Sequence, residues 1–140
     1  MDEVLGFNDR LLIGAVDMSI DEVVDKIHRL SGIAIASHID KESYSVVGQL
    51  GFIPETLIFD ALEISPNISV EKARKRFPEC INYTMIKNSD AHFIEDIGKC
   101  ITEFQIEEPT FSEIKKALKN EDKRKIQNHK SPPDRRAGTI

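Results

Sequence analysis

Short apolar runs, each closed by a polar turn and followed by a helix signal, constrain this chain more than any other feature. Ile33-Ala34-Ile35-Ala36 follows Gly32, ends at Ser37-His38 and is too short for a helix, so it reads as a buried strand. Phe59-Asp60-Ala61-Leu62-Glu63-Ile64, halted by Pro66, reads as a second strand, and Tyr83-Thr84-Met85-Ile86 as a third. Ile101 to Ile106 makes a fourth. Helix signals fall between them. Ser19-Ile20-Asp21-Glu22 is a capping box ahead of Ile20, Val23, Val24, Ile27 and Leu30 at helical spacing, with Gly32 placed for a C′ glycine. Residues 43–50 predict a short helix broken at Gly51 and Pro54. Ser69 caps a helix through Val70, Ala73 and Phe77 that stops at Pro78, and Thr110-Phe111-Ser112-Glu113 is a second capping box before Ile114, Ala117 and Leu118. Strands separated by helices predict parallel pairing through right-handed crossovers. Strands apolar throughout predict a sheet covered on both faces. The class is α/β, either an open sheet or an arc of a (β/α) barrel.

Charge divides the chain in two. It carries −5 overall, yet residues 121–140 hold six cations against three acids, so that residues 1–120 are −8. The last twenty residues also contain Pro132, Pro133 and Gly138 and little to bury, which predicts a basic, disordered tail after one domain over 1–120. A basic nucleic-acid arm is the alternative, but the tail has no aromatic residue on which bases could stack. The acidic balance of the whole argues against general nucleic-acid affinity, which depends on cations neutralising phosphates. The longest apolar runs, such as Leu11 to Val16, fall far short of the ~20 residues that span a bilayer. Cys80 and Cys100 form no C-x-x-C pair, and with no signal-peptide pattern at Met1-Asp2-Glu3-Val4 they point to reduced thiols and a cytoplasmic location.

In parallel α/β folds, sites gather at the carboxyl ends of the strands. Here the first strand runs into His38, the second carries Glu63 near its end, and the third runs into Asp90 and His92. Imidazole and carboxylate together suit zinc, manganese or iron, so His38, Asp90 and His92 are candidate metal ligands. Glu63 is weaker and could instead orient a neighbouring ligand. Against this stands the plainer reading, in which each is a hydrogen-bonded structural residue. His28 falls on the outer face of its helix and is expected in solvent; His129 falls in the tail. The chain has no G-x-G-x-x-G, P-loop, G-x-S-x-G or H-E-x-x-H motif. Packing accounts for both cysteines better than reactivity does.

Gly32 to Asp40, Ala61-Leu62-Glu63-Ile64-Ser65 and Ser89-Asp90-Ala91-His92 together resemble the PHP (polymerase and histidinol phosphatase) superfamily. Ile94 to Lys99, the helix from Thr110, and the start from Asp2-Glu3-Val4 to Leu11-Leu12 also fit, so the likeness covers about residues 2–126. The resemblance implies a distorted (β/α)7 barrel with a cluster of divalent metal ions that hydrolyses phosphate esters. His38 would match a histidine after a middle strand, and Asp90 and His92 a closing Asp-x-His pair. The family opens with a His-x-His strand, whereas the one histidine ahead of His38 is His28. The resemblance is therefore to the C-terminal part of the domain. It implies a complementary N-terminal half as partner, with metal binding and turnover incomplete in this chain alone. A folded, non-catalytic remnant that binds a partner is the competing expectation.

Overall fold

The computed structural model describes residues 5–10 and 14–129. The helix α1 (Ile20–Arg29) begins with the expected capping box: Ser19 Oγ accepts from Glu22 N–H, and the Glu22 carboxylate accepts from Ser19 N–H at 2.8 Å. Its other end departs from expectation by one residue. Ser31, not Gly32, takes the left-handed conformation (φ 60°), and Gly32 N–H donates to Ile27 O at 2.7 Å. Gly32 is thus one residue past C′ in a Schellman ending. A Cβ at Gly32 would lie 2.7 Å from Ile27 Cγ2, so close approach, rather than dihedral freedom, requires the glycine.

Three strands, β1 (Ile35–Ala36), β2 (Ala61–Ile64) and β3 (Met85–Lys87), form a parallel sheet in that order. Ile35 faces Ala61, and Leu62 faces Met85. The α/β reading and parallel pairing hold for this part. Two short helices make the crossovers, α2 (Val46–Leu50) and α3 (Val70–Arg76), capped by Ser45 and Ser69. Leu62 and Ile64 are fully buried, and the core gathers Val24, Ile39, Leu57, Phe59 and Phe77 around them. Each such aliphatic side chain contributes about 1.5–3 kcal/mol by leaving water. Covering on both faces holds for β2 and β3 but not for β1, where Ile35 stays 37% exposed.

The fourth strand breaks the parallel pattern. β4 (Ile101–Gln105) pairs antiparallel with β5 (Lys125–His129), with α4 (Phe111–Lys119) between them, in a separate two-stranded sheet. Two expectations are corrected here. A helix between two strands did not bring parallel pairing, and the predicted disordered tail is ordered strand over 125–129. The reason is local: every other side chain of β5, Ile126 and Asn128, packs inward against β3, β4 and α4. Residues 130–140, and the motif residues Asp2 to Val4 and Leu11-Leu12, lie outside the described residues. The described strands form an open arc, without closure into a barrel. No helix among the described residues is long and apolar enough to cross a membrane.

Thr110 caps α4, its hydroxyl accepting from Glu113 N–H. The second capping box stops half made, because the Glu113 carboxylate turns instead to Glu107 N–H and to the Arg124 guanidinium, at 3.1 and 2.7 Å. Arg124 holds the Glu113 carboxyl down to about 2, with the Glu107 N–H as the next cause.

Candidate functional site

The candidate residues sit where three strands end side by side. β1 passes through Ser37 into His38, whose backbone turns at φ 22°. Ile39 N–H then bonds Glu63 O at 2.9 Å, carrying the pairing one step past the strand. Asp40 fixes the loop: its two carboxylate oxygens accept from Ser65 N–H and Ser65 Oγ–H, both at 2.6 Å. Lys41 N–H closes a turn onto His38 O at 3.0 Å.

At the end of β3, Ser89 Oγ both donates to Cys100 O and accepts from Cys100 N–H. That reciprocal clasp holds the turn that carries Asp90. Asp90 adopts φ 49°, a left-handed conformation that costs roughly 1–3 kcal/mol unless the surroundings enforce it. His92 Nδ1 lies 2.8 Å from Asp90 O, which sets the ring over the same turn. Glu63 accepts from Asn88 Nδ2 at 3.1 Å and so links the ends of β2 and β3.

Asp90 is the electrostatic centre of this rim. Its Oδ2 accepts from the Lys41 ammonium, and the pair is partly buried. That hydrogen bond is the main reason its carboxyl is held below the usual carboxylate value, and the charges of Lys41, His38 and His92 lower it further. All three predicted ligands therefore act on one another across the strand ends. His38 Nδ1 is buried with no hydrogen-bond partner. An orphaned donor–acceptor of this kind is uncommon in a folded chain.

The donor types suit a divalent metal, but the arrangement falls short of one. Among the described residues no three His, Cys, Asp or Glu side chains gather closely enough to hold an ion, and Asp90 is already matched by Lys41. The described residues thus do not fit a metal by themselves.

Other polar residues were not visible as site features in the sequence. Asp40 and Lys41 follow His38 directly, and that adjacency was the available signal. Arg76 Nη1 reaches Asp40 O at 3.4 Å from the end of α3, which no spacing rule indicates. His28 corrects its expectation: Nε2 lies 3.0 Å from Asp60 Oδ2, with the ring one-third exposed. Asp60 also accepts from Ala34 N–H at 2.7 Å, so this pair ties α1 to the opposite, amino ends of β1 and β2. His129 stands in β5, 3.1 Å from Glu103 Oε2, but the contact lacks hydrogen-bond alignment. Cys80 and Cys100 are both buried and unpaired. Burial chiefly, with Glu79 adding, pushes the Cys80 thiol up to about 11, so it is a packing residue, as the sequence suggested.

Residues 72–122 match the PHP-associated family model. That stretch includes Asp90 and His92; His38 and Glu63 precede it. The likeness to the C-terminal part of PHP proteins is thereby shown. An uncharacterised Bacillus subtilis (strain 168) protein, YqxK, is 28% identical over 106 residues, 72% of this chain and 27% of that protein. Two solved structures share the fold. One is the lesion-specific endonuclease PfuEndoQ from Pyrococcus furiosus, with a TM-score of 0.72 and 22% identity. The other is an Endonuclease Q complex with a 27-mer duplex carrying an abasic lesion at the active site, with a TM-score of 0.64 and 22% identity. Each match covers 81% of this chain and 30% of the solved one. The chain thus spans less than a third of the proteins it resembles.

Proposed function

We propose that this chain is the C-terminal part of a PHP-type, metal-dependent phosphoesterase, which hydrolyses phosphate esters as a complete domain and is incomplete alone. The observation that carries the reading is the rim itself: adjacent parallel strands deliver His38, Glu63, and the Asp90–His92 pair to one end of the sheet. On this reading the sheet is an arc of a (β/α)7 barrel. His38, Asp90 and His92 supply part of a ligand set for zinc, manganese or iron, and Glu63 orients its neighbours through Asn88. The shortfall in ligands then belongs to the missing half, which is the expected partner. The open side of the sheet supports this. β1 has a strand partner on one side only among the described residues. A groove of about 470 Å³, lined by Ile20, Val24, Ile27, Ile35, Tyr44 and Val46, runs beside it. Unpaired edges of that kind favour strand addition.

The substrate class is a phosphate ester, and the neighbours widen it. Both solved relatives are nucleases by name, at odds with the expectation from net charge that nucleic acid is not a partner. A phosphodiester in damaged DNA is therefore to be assayed beside a simple monoester. A cytoplasmic setting goes with this reading, and two buried, unpaired thiols support it.

The test is reconstitution. The chain is mixed with an N-terminal segment carrying the His-x-His strand, and both substrates are assayed with manganese or zinc. Metal-dependent turnover that is lost in Asp90→Ala is the expected result. Absence of turnover with either substrate, or full turnover in Asp90→Ala, overturns the proposal. The competing reading, a non-catalytic partner-binding remnant, draws on the Lys41–Asp90 pair, which neutralises the carboxylate without a metal.

A further inference from the structure

We propose that Lys41 is a built-in cation of this rim, which holds the Asp90 carboxylate and competes with a divalent metal for it. The inference rests on the metal-site reading above and concerns why this chain alone holds an ion weakly.

Three observations converge. Lys41 Nζ donates to Asp90 Oδ2, the atom that would otherwise face an incoming ion from the His38 side. The lysine is not placed by chance, because its own backbone N–H is anchored to His38 O. The loop bearing both residues is clamped to β2 by Asp40 on Ser65. Meanwhile His38 Nδ1 is buried and makes no hydrogen bond, although a ring in a loop this rich in polar groups would ordinarily find one. The local charge balance is therefore met by an ammonium, while a neutral imidazole nitrogen close by goes unused. An ammonium fixed on a carboxylate must be displaced before a metal can bind there, so the pair subtracts directly from metal affinity. The same pair keeps the negative charge compensated when no ion is present, which lets a rim of ligands fold before it is loaded.

The chain contains four histidines, His28, His38, His92 and His129, and this supplies an internally controlled experiment. The full chain is titrated with Mn²⁺, and paramagnetic broadening of each imidazole C–H signal is followed by NMR. His28 and His129 lie outside the rim and act as references. The expected result is selective broadening of His38 and His92, with the half-broadening concentration about fivefold lower in Lys41→Gln, in proportion to an ion pair of this exposure. Lys41→Arg retains the charge and is expected to stay near the wild type. Arg76→Gln removes a neighbouring charge that touches Asp40 O instead of Asp90, and is also expected to leave the titration unchanged. Thermal unfolding of each variant confirms that it is folded.

Selective broadening with equal midpoints in wild type and Lys41→Gln overturns the competition and leaves the metal reading standing. An equal gain in Arg76→Gln also overturns it, since any lost positive charge would then suffice. Broadening without preference for His38 and His92 in every variant removes the metal reading, and the competition with it.

Discussion

Removing the Asp40 carboxylate should cost this fold about 3 kcal/mol, out of proportion to one half-exposed side chain. Asp40 takes two hydrogen bonds of 2.6 Å from Ser65, one from the backbone N–H and one from the hydroxyl. Ser65 is only 3% exposed, so water cannot replace the carboxylate. A buried donor left unmatched costs about 1–3 kcal/mol, and hydrogen bonds to charged groups lie at the upper end. The Ser65 hydroxyl oxygen still accepts from Asn67 N–H at 3.3 Å, which leaves the stranded backbone N–H as the larger part. In Asp40→Ala both donors lose their acceptor, giving about 2–4 kcal/mol.

Comparison variants separate the causes. Asp40→Asn keeps an acceptor for Ser65 N–H and offers an amide donor to the Ser65 oxygen, so it should cost about 1 kcal/mol. Ser65→Ala leaves one carboxylate oxygen free in a loop open to water, and should cost a similar amount. Urea unfolding with an unchanged slope measures each difference, and the melting temperature of Asp40→Ala should fall by roughly 10 °C for a chain of this size. The expected order is Asp40→Ala well below Asp40→Asn and Ser65→Ala. If Asp40→Ala unfolds within about 0.5 kcal/mol of wild type, the loop carrying His38 and Lys41 is not held by this clamp. If Asp40→Asn is as damaging as Asp40→Ala, charge and not acceptor geometry is responsible.

Two further outcomes concern the C-terminal module. The Glu113 carboxyl sits at about 2 in the fold against an ordinary 4.5, chiefly through Arg124. A depressed folded value means the stabilisation is complete above about pH 4.5 and is lost as pH falls toward 2. The stability gap between wild type and Glu113→Gln, read from urea midpoints between pH 6 and 2, should therefore close across that window; a gap that is flat with pH would refute the ion-pair cause. Asn128→Ala strands Met85 O, which accepts from Asn128 Nδ2 at 2.8 Å, and should cost about 1–2 kcal/mol by the same measurement. No measurable loss would show that the β4–β5 ribbon does not depend on this bond.

What could be read from the residues alone follows the reach of the forces involved. Capping and core-facing periodicity act over a few residues, so α1, α3, α4 and the three parallel strands were legible, to within a residue or two at their ends. The strand ends followed from the same logic, which placed His38, Glu63, Asp90 and His92 on one rim. Side-chain partners across the chain were not legible. The Lys41–Asp90 pair joins residues 49 apart and the His28–Asp60 pair residues 32 apart, and no local pattern marks either one. β5 was missed because its residues Lys125-Ile126-Gln127-Asn128-His129 hold a single strongly apolar side chain. Its place is secured instead by five ladder pairs with β4 and by Arg124 on Glu113, and charge and composition read as a tail.

The polar character of β5 also determines on which side this sheet can grow. The outer edge of β3 is closed by side chains instead of a backbone ladder. Lys87 N–H donates to Thr102 Oγ1 and Asn128 Oδ1, and Thr102 Oγ1 in turn donates to Lys87 O. Thr84 Oγ1 similarly donates to Leu118 O. Edge groups satisfied in this way have little left to offer another strand. β1 is the contrary case, with no strand on its far side among the described residues and with Ile35 part exposed over an apolar groove. Under the proposed reading the rest of the domain must therefore join at β1, beside His38, and not beyond β3. That is the side from which additional ligands could meet His38 Nδ1, the buried nitrogen left without a partner.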